Sequence, residues 1–126
     1  MSRITAEEYR SLHVDKSPKY RNRKADGYDS EKEKTRHGEL LLLEKAGLIC
    51  GLKRQVPFVL ISAQRDENGK MIEKSVRYYA DFQYFDVVNK MLVIEDVKSP
   101  ATRKNQAYVI KRKLMLERYG IKILEV

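Results

Sequence analysis

The chain has 126 residues, 42% of them apolar and 35% charged, with a net charge of +8. That length suits one compact domain with a single small core, and no run of about 18 apolar residues is present to cross a membrane. A lone cysteine, Cys50, excludes an internal disulfide framework, and His13, His37 and Cys50 show no zinc-ligand spacing.

The first residues, Met1-Ser2-Arg3-Ile4-Thr5-Ala6-Glu7-Glu8, contain no apolar signal region. The expectation is a cytoplasmic protein with no membrane partner. Residues 1–18 read as a flexible segment ahead of a single domain at 19–126, with a short helix over residues 6–12. Lys16, Lys19, Arg21, Arg23 and Lys24 form a basic cluster with no acid among them. Tyr20-Arg21-Asn22-Arg23-Lys24 reads in two ways, as loosely ordered chain or as an arm on a phosphate backbone.

A helix is expected from Ser30 to Ala46. Asp29 or Ser30 can cap it, Ser30-Glu31-Lys32-Glu33 fits a capping box, and Gly47 can close it. Glu33 lies seven residues before Leu40, so the two share a face, whereas Glu39 falls well away from it. Cys50, after Leu48-Ile49, reads as a small core residue. A first strand at 55–62 has apolar residues on both faces, which predicts an interior strand with Pro57 near its start. Asn68-Gly69 signals a hairpin. Strands are expected at 76–85 and 91–98. Thr102 then caps a helix to Tyr119, with Ala107, Ile110 and Leu114 as its apolar line and Gly120 as its C-cap. Residues 121–126 form the last strand. The order α-β-β-β-α-β describes an α/β fold with a mixed central sheet flanked by helices.

Chemistry concentrates in two of these strands. Asp81 lies in Tyr78-Tyr79-Ala80-Asp81-Phe82, and Asp96 and Lys98 in Val93-Ile94-Glu95-Asp96-Val97-Lys98. Side chains at i and i+2 of a strand share a face, so Asp96 and Lys98 stand side by side within reach of Asp81. Two carboxylates and an ammonium on a sheet surface suit a divalent metal and a phosphate. Asp81 and Asp96 are the expected ligands, with the Val97 carbonyl and Glu33 completing the shell. Hard oxygen donors favour Mg²⁺ or Mn²⁺. Lys98 would position or deprotonate the attacking water, and Gln83 is placed on the face of Asp81 as site support. Glu95 points to the opposite face, towards a basic residue on a covering helix.

Residues 98–122 hold eight basic residues and one acid, Glu117. Lys104, Lys111, Arg112 and Lys113, with Arg21, Arg23 and Lys24, are the candidate nucleic-acid contacts. Metal-dependent hydrolysis of phosphodiester bonds is the resulting expectation, with DNA as partner. A non-catalytic nucleic-acid-binding protein and a nuclease acting on RNA compete with it. The short chain leaves little room for a base-reading domain, and a homodimer would add surface.

The same stretches carry a resemblance. The element order and the acids resemble the core of the PD-(D/E)XK nuclease superfamily, which includes restriction endonucleases and archaeal-type Holliday junction resolvases. Tyr20-Arg21-Asn22, Asp29-Ser30-Glu31-Lys32-Glu33, Ala46-Gly47, Gln55-Val56-Pro57-Phe58, Tyr79-Ala80-Asp81-Phe82, Glu95-Asp96-Val97-Lys98 and Lys111-Arg112-Lys113-Leu114 with Tyr119-Gly120-Ile121 resemble, more closely, small phage and prophage proteins placed in that superfamily. The likeness spans residues 19–126. It implies Glu33 as the helix carboxylate, Asp81 and Asp96 as metal ligands, and Lys98 as the motif lysine; Gln55, like Gln83, is a further candidate for site support. Ala80 stands where the superfamily often has proline, and Asp96 where glutamate is commoner. Endonuclease activity on DNA, including branched or recombination intermediates, is what the resemblance implies.

Overall fold

The computed structural model describes residues 27–126. The expected helix at 6–12, the flexible segment at 1–18, and Arg21, Arg23 and Lys24 lie outside these residues. Helix α1 (Glu31–Lys45) is followed by β1 (Ile49–Ile61), a small hairpin of β2 (Gln64–Arg65) and β3 (Met71–Glu73), then β4 (Val76–Asp86) and β5 (Met91–Asp96). A short helix α2 (Pro100–Arg103), helix α3 (Gln106–Tyr119) and β6 (Leu124–Glu125) complete the chain. The main sheet has the order β1-β4-β5-β6. Its β1–β4 and β4–β5 pairs are antiparallel and β5–β6 is parallel. This is a mixed α/β fold with an αβββαβ core. No helix among the described residues is long and apolar enough to cross a membrane.

The start of α1 follows from its first four residues. The Ser30 side chain accepts from the Glu33 N–H at 3.1 Å, and the Glu33 carboxylate accepts from the Asp29 N–H at 3.2 Å. This is a capping box shifted by one residue on its return bond. Glu33 and Leu40 are both buried, as their seven-residue spacing requires, and Leu42 points outward at 70% exposure. Leu40 packs with Ile49, Phe82 and Tyr84 in one core cluster. A second cluster joins Leu60, Tyr78, Ala80, Ile94, Tyr108, Met115 and Ile123.

Several expectations are corrected. β1 begins at Ile49 rather than at 55, running through Gly51 (φ 67°), where the register shifts between Cys50 and Lys53. Among the described residues it is an edge strand of the main sheet, not an interior one. That explains Pro57 in its interior, since an edge position leaves one side of the backbone without a ladder bond to lose. Cys50 is exposed rather than buried. The second helix divides: Ser99 caps α2, and Asn105 opens α3 by accepting from the Tyr108 N–H. The buried line of α3 is Tyr108 and Met115, while Ala107 and Ile110 face outward. Gly120, at φ 65°, ends α3 in a left-handed cap. The last strand is only Leu124–Glu125.

One irregularity matters for the site. Tyr78 and Ala80 belong to the cluster with Ile94 and Tyr108, whereas Phe82 and Tyr84 belong to the cluster with Leu40. Regular alternation would put all four on one face. The strand therefore turns over at Asp81, and three consecutive residues, Ala80, Asp81 and Phe82, are buried. Opposite this point Gln55 adopts a left-handed backbone, φ 52°.

Candidate metal centre

Where β4 turns over, Asp81 lies between the two faces and meets acids from both. Gln55 Nε2 donates to Glu33 Oε1 at 3.0 Å and to Asp81 Oδ1 at 3.2 Å, tying α1 to β4. The other oxygen of Asp81 accepts from the Val97 N–H at 2.9 Å. Arg54, the neighbour of Gln55, brings a guanidinium nitrogen to 3.7 Å from Glu33 Oε1. Its plane stacks over Tyr28, 4.1 Å from the ring centroid, and the Tyr28 hydroxyl lies 2.5 Å from His37 Nδ1. Asp29 follows directly. Ligand oxygens of Asp29, Glu33 and Asp81 all lie within 4.8 Å of one another, close enough to hold a metal ion.

Asp96 approaches Asp81 from the other side. Its side chain is fully buried. Oδ2 accepts from the Tyr78 hydroxyl and from Lys98 Nζ at 3.2 Å. Oδ1 has no hydrogen-bond donor among the described residues. The Lys98 ammonium also sits 5.1 Å from the centroid of the Tyr108 ring, whose hydroxyl donates to Glu125 at 2.7 Å.

The charges are poorly matched. Burial pushes the Glu33 carboxyl up to about 7, and the charges of Asp81 and Asp29 push the same way. Burial also holds Asp96 well above the usual carboxylate range, reinforced by the Asp81 carboxyl beside it. For Lys98, burial works against the ammonium, but Asp96, Asp81 and Glu33 outweigh it and raise the group above an ordinary lysine. A cation among the oxygens of Asp29, Glu33 and Asp81 would relieve their repulsion; Asp96 stands outside that triad, beside Asp81. Carboxylate oxygens as the donor set suit a hard divalent ion, so the residues fit such a group.

Of the expected site residues, Glu33, Asp81, Asp96, Lys98 and Gln55 are brought together. Val97 donates its N–H to Asp81 Oδ2 at 2.9 Å, while Asp96 and Lys98 on either side bond to Val126 of the β6 segment, so the backbone of Val97 lies on the Asp81 side. Gln83 is not part of the group. It lies beyond the turn-over of β4, across from Lys53 and Ile94, and none of the hydrogen bonds among the described residues takes it to the acids. Glu95 faces the other way, bonded to Arg36 at 2.5 and 3.0 Å and to the Tyr84 hydroxyl at 2.6 Å. Sequence reasoning missed Asp29, Arg54 and Tyr78. Asp29 was visible as a candidate cap, and its neighbours Gly27 and Tyr28 are both held by Arg54 of β1.

Among the candidate nucleic-acid contacts, Lys104 and Lys113 are exposed. Arg112 is paired with Glu125 at 3.5 Å. Lys111 is half-buried, and burial lowers its ammonium to about 8.

Residues 17–124 match the family described as "Protein of unknown function (DUF1064)". The chain belongs to that family. No curated protein and no solved structure matches it.

Proposed function

We propose that this DUF1064 chain is a metal-dependent endonuclease that hydrolyses phosphodiester bonds in DNA, in the manner of the PD-(D/E)XK nucleases it resembles. The observation that carries the reading is Asp96. It is a fully buried carboxylate with one oxygen tied to Tyr78 and Lys98, the other without a hydrogen-bond donor among the described residues, and the Asp81 carboxyl beside it. An acid kept only for structure would have both oxygens satisfied.

Asp29, Glu33 and Asp81, whose oxygens lie within 4.8 Å of one another, would hold the ion, with Asp96 beside Asp81 as a further ligand. Mg²⁺ or Mn²⁺, when bound, supplies charge stabilisation at the scissile phosphate and a more acidic water. Lys98 gives one of its protons to Asp96 and keeps two for the water or for a phosphate oxygen. The attacking water gives up a proton to solvent as its oxygen forms the new P–O bond and the ester P–O bond breaks, and the leaving oxygen takes up a proton from solvent. Gln55 holds Glu33 and Asp81 at a fixed separation through one amide nitrogen. Lys104 and Lys113, both exposed, would meet flanking phosphates.

The test is a cleavage assay on duplex, single-stranded, flap and four-way DNA and on RNA, with Mg²⁺ or Mn²⁺, beside an Asp96→Ala control. Metal-dependent products that vanish in the variant are expected. No cleavage of any nucleic acid, or cleavage unchanged by Asp96→Ala, overturns the reading.

A further inference from the structure

The acids of the centre differ in how their oxygens are used. Both oxygens of Asp81 accept hydrogen bonds from the chain, from Gln55 and from Val97. Both oxygens of Glu33 do as well, from Gln55 and from the Asp29 N–H. Asp96 alone of the three has both its donors on one oxygen.

We propose that Tyr78 is a positioning residue of this centre: its hydroxyl fixes Asp96 Oδ2 so that Oδ1 alone is presented to the cation and Lys98 is kept from closing over the whole carboxylate. The inference rests on the reading of the site as a metal centre in which Asp96 joins the Asp29, Glu33 and Asp81 cluster. Tyr78 is suited to the task on three counts. Its ring is 4% exposed and wedged among Leu60, Ala80 and Ile94, so the hydroxyl has little freedom to leave. It stands on β4, three residues before Asp81, and ties the strand that carries one acid to the strand that carries the other. Burial and the charge of Asp96 keep its phenol a neutral donor throughout the working pH range. Without that bond a lysine ammonium 3.2 Å from Oδ2 is free to swing across both oxygens, as a flexible point charge does. The one ligand oxygen would then be lost to an internal ion pair. Partners that orient a ligand in this way typically account for about 10- to 100-fold in metal affinity.

The experiment is a calorimetric titration of the full chain with Mn²⁺ alone, for wild type, Tyr78→Phe, Asp96→Asn and the double variant. Tyr78→Phe keeps the packed ring and removes only the hydroxyl. The expected result is Mn²⁺ affinity about 10- to 100-fold weaker in Tyr78→Phe, with no further loss when Tyr78→Phe is added to Asp96→Asn, because the hydroxyl acts through that carboxylate. Wild-type affinity in Tyr78→Phe, or an equal loss in both backgrounds, overturns the inference while leaving the metal centre standing. A wild-type chain that takes up no Mn²⁺ overturns the metal centre itself, and this inference with it. Should Tyr78→Phe not fold, the wild-type chain still decides. A slowly exchanging Tyr78 hydroxyl proton seen by NMR must persist when Mg²⁺ saturates the site, and its disappearance shows that the bond is not part of the loaded state.

Discussion

Glu95 and Asp96 are neighbours on β5, both fully buried, and treated in opposite ways. On one face, Glu95 meets a guanidinium with both oxygens and accepts a third bond from Tyr84. On the other face, Asp96 has a tyrosine and a lysine on one oxygen, an unfilled second oxygen, and another carboxylate beside it. Burial alone therefore does not distinguish a structural acid such as Glu95 from one proposed to serve a metal centre. What distinguishes them is whether the surroundings neutralise the charge.

The sharpest way to break this contrast is to neutralise each acid in turn. Asp96→Asn should lower turnover by roughly 1,000-fold or more while leaving Tm unchanged or higher, since it removes a charge repelled by Asp81. Glu95→Ala should do the reverse. It strands Arg36 and Tyr84, costing about 3–5 kcal/mol of stability as broken buried pairs do, with turnover per folded molecule largely kept. Denaturant melts beside single-turnover cleavage measure both. Equal stability losses in the two variants would erase the distinction.

A second comparison lies along α1. Glu33 is buried against Gln55 and Asp81, whereas Glu39 is half-exposed and paired with Arg36. Glu33→Gln should reduce turnover by about 10- to 100-fold, and Glu39→Gln should leave it within a factor of about two, because exposed pairs contribute little. A silent Glu33→Gln beside a dead Glu39→Gln would reverse the assignment.

Glu33 also has a pH signature. Its carboxyl rises from 4.5 to about 7 on folding, chiefly through burial. The folded state thus holds a proton that the unfolded state releases. The stability this contributes is present below about pH 4.5 and is lost as pH rises through about 7. Metal-free wild type should lose urea stability between pH 5 and pH 8 more steeply than Glu33→Gln, and saturating Mg²⁺ should flatten the difference. Parallel pH profiles would show that Glu33 is not held protonated in the fold.

The smallest effects concern α3. Lys113 is exposed and Arg112 is tied to Glu125. Lys113→Ala should lower the slope of log affinity against log salt by about one unit, and Arg112→Ala by less. Titrations on DNA at several salt concentrations decide it, and an unchanged slope in Lys113→Ala would turn that face of the helix away from the nucleic acid.

Much of the arrangement could be read from local pattern. The Glu33–Leu40 spacing set the inward face of α1, and the alternation Glu95–Asp96 separated the ion pair from the open acid. Both rest on periodicities that hold within a single element. What escaped depended on contacts between elements. The edge position of β1 is decided by sheet order, which its apolar residues do not encode. The place of Asp29 depends on contacts of Arg54 with Gly27 and Tyr28, the former 27 residues away in the chain. Gln83 was misplaced because extrapolation by twos from Asp81 assumes a strand that does not turn over. Tyr78 had no signal, since a tyrosine in an apolar strand reads as core.

The left-handed backbone at Gln55 bears on how this family can vary and be engineered. A side chain at that φ costs about 1–2 kcal/mol that glycine would not incur. Any search scored on thermal robustness, whether a consensus design or a selected library, will be drawn towards Gln55→Gly. The same change deletes the amide that ties Glu33 to Asp81. A lineage that has relaxed to glycine here would then be hardier and unable to keep its carboxylates in register. The residue at this one position therefore offers a quick way to sort working relatives from those that retain only the scaffold.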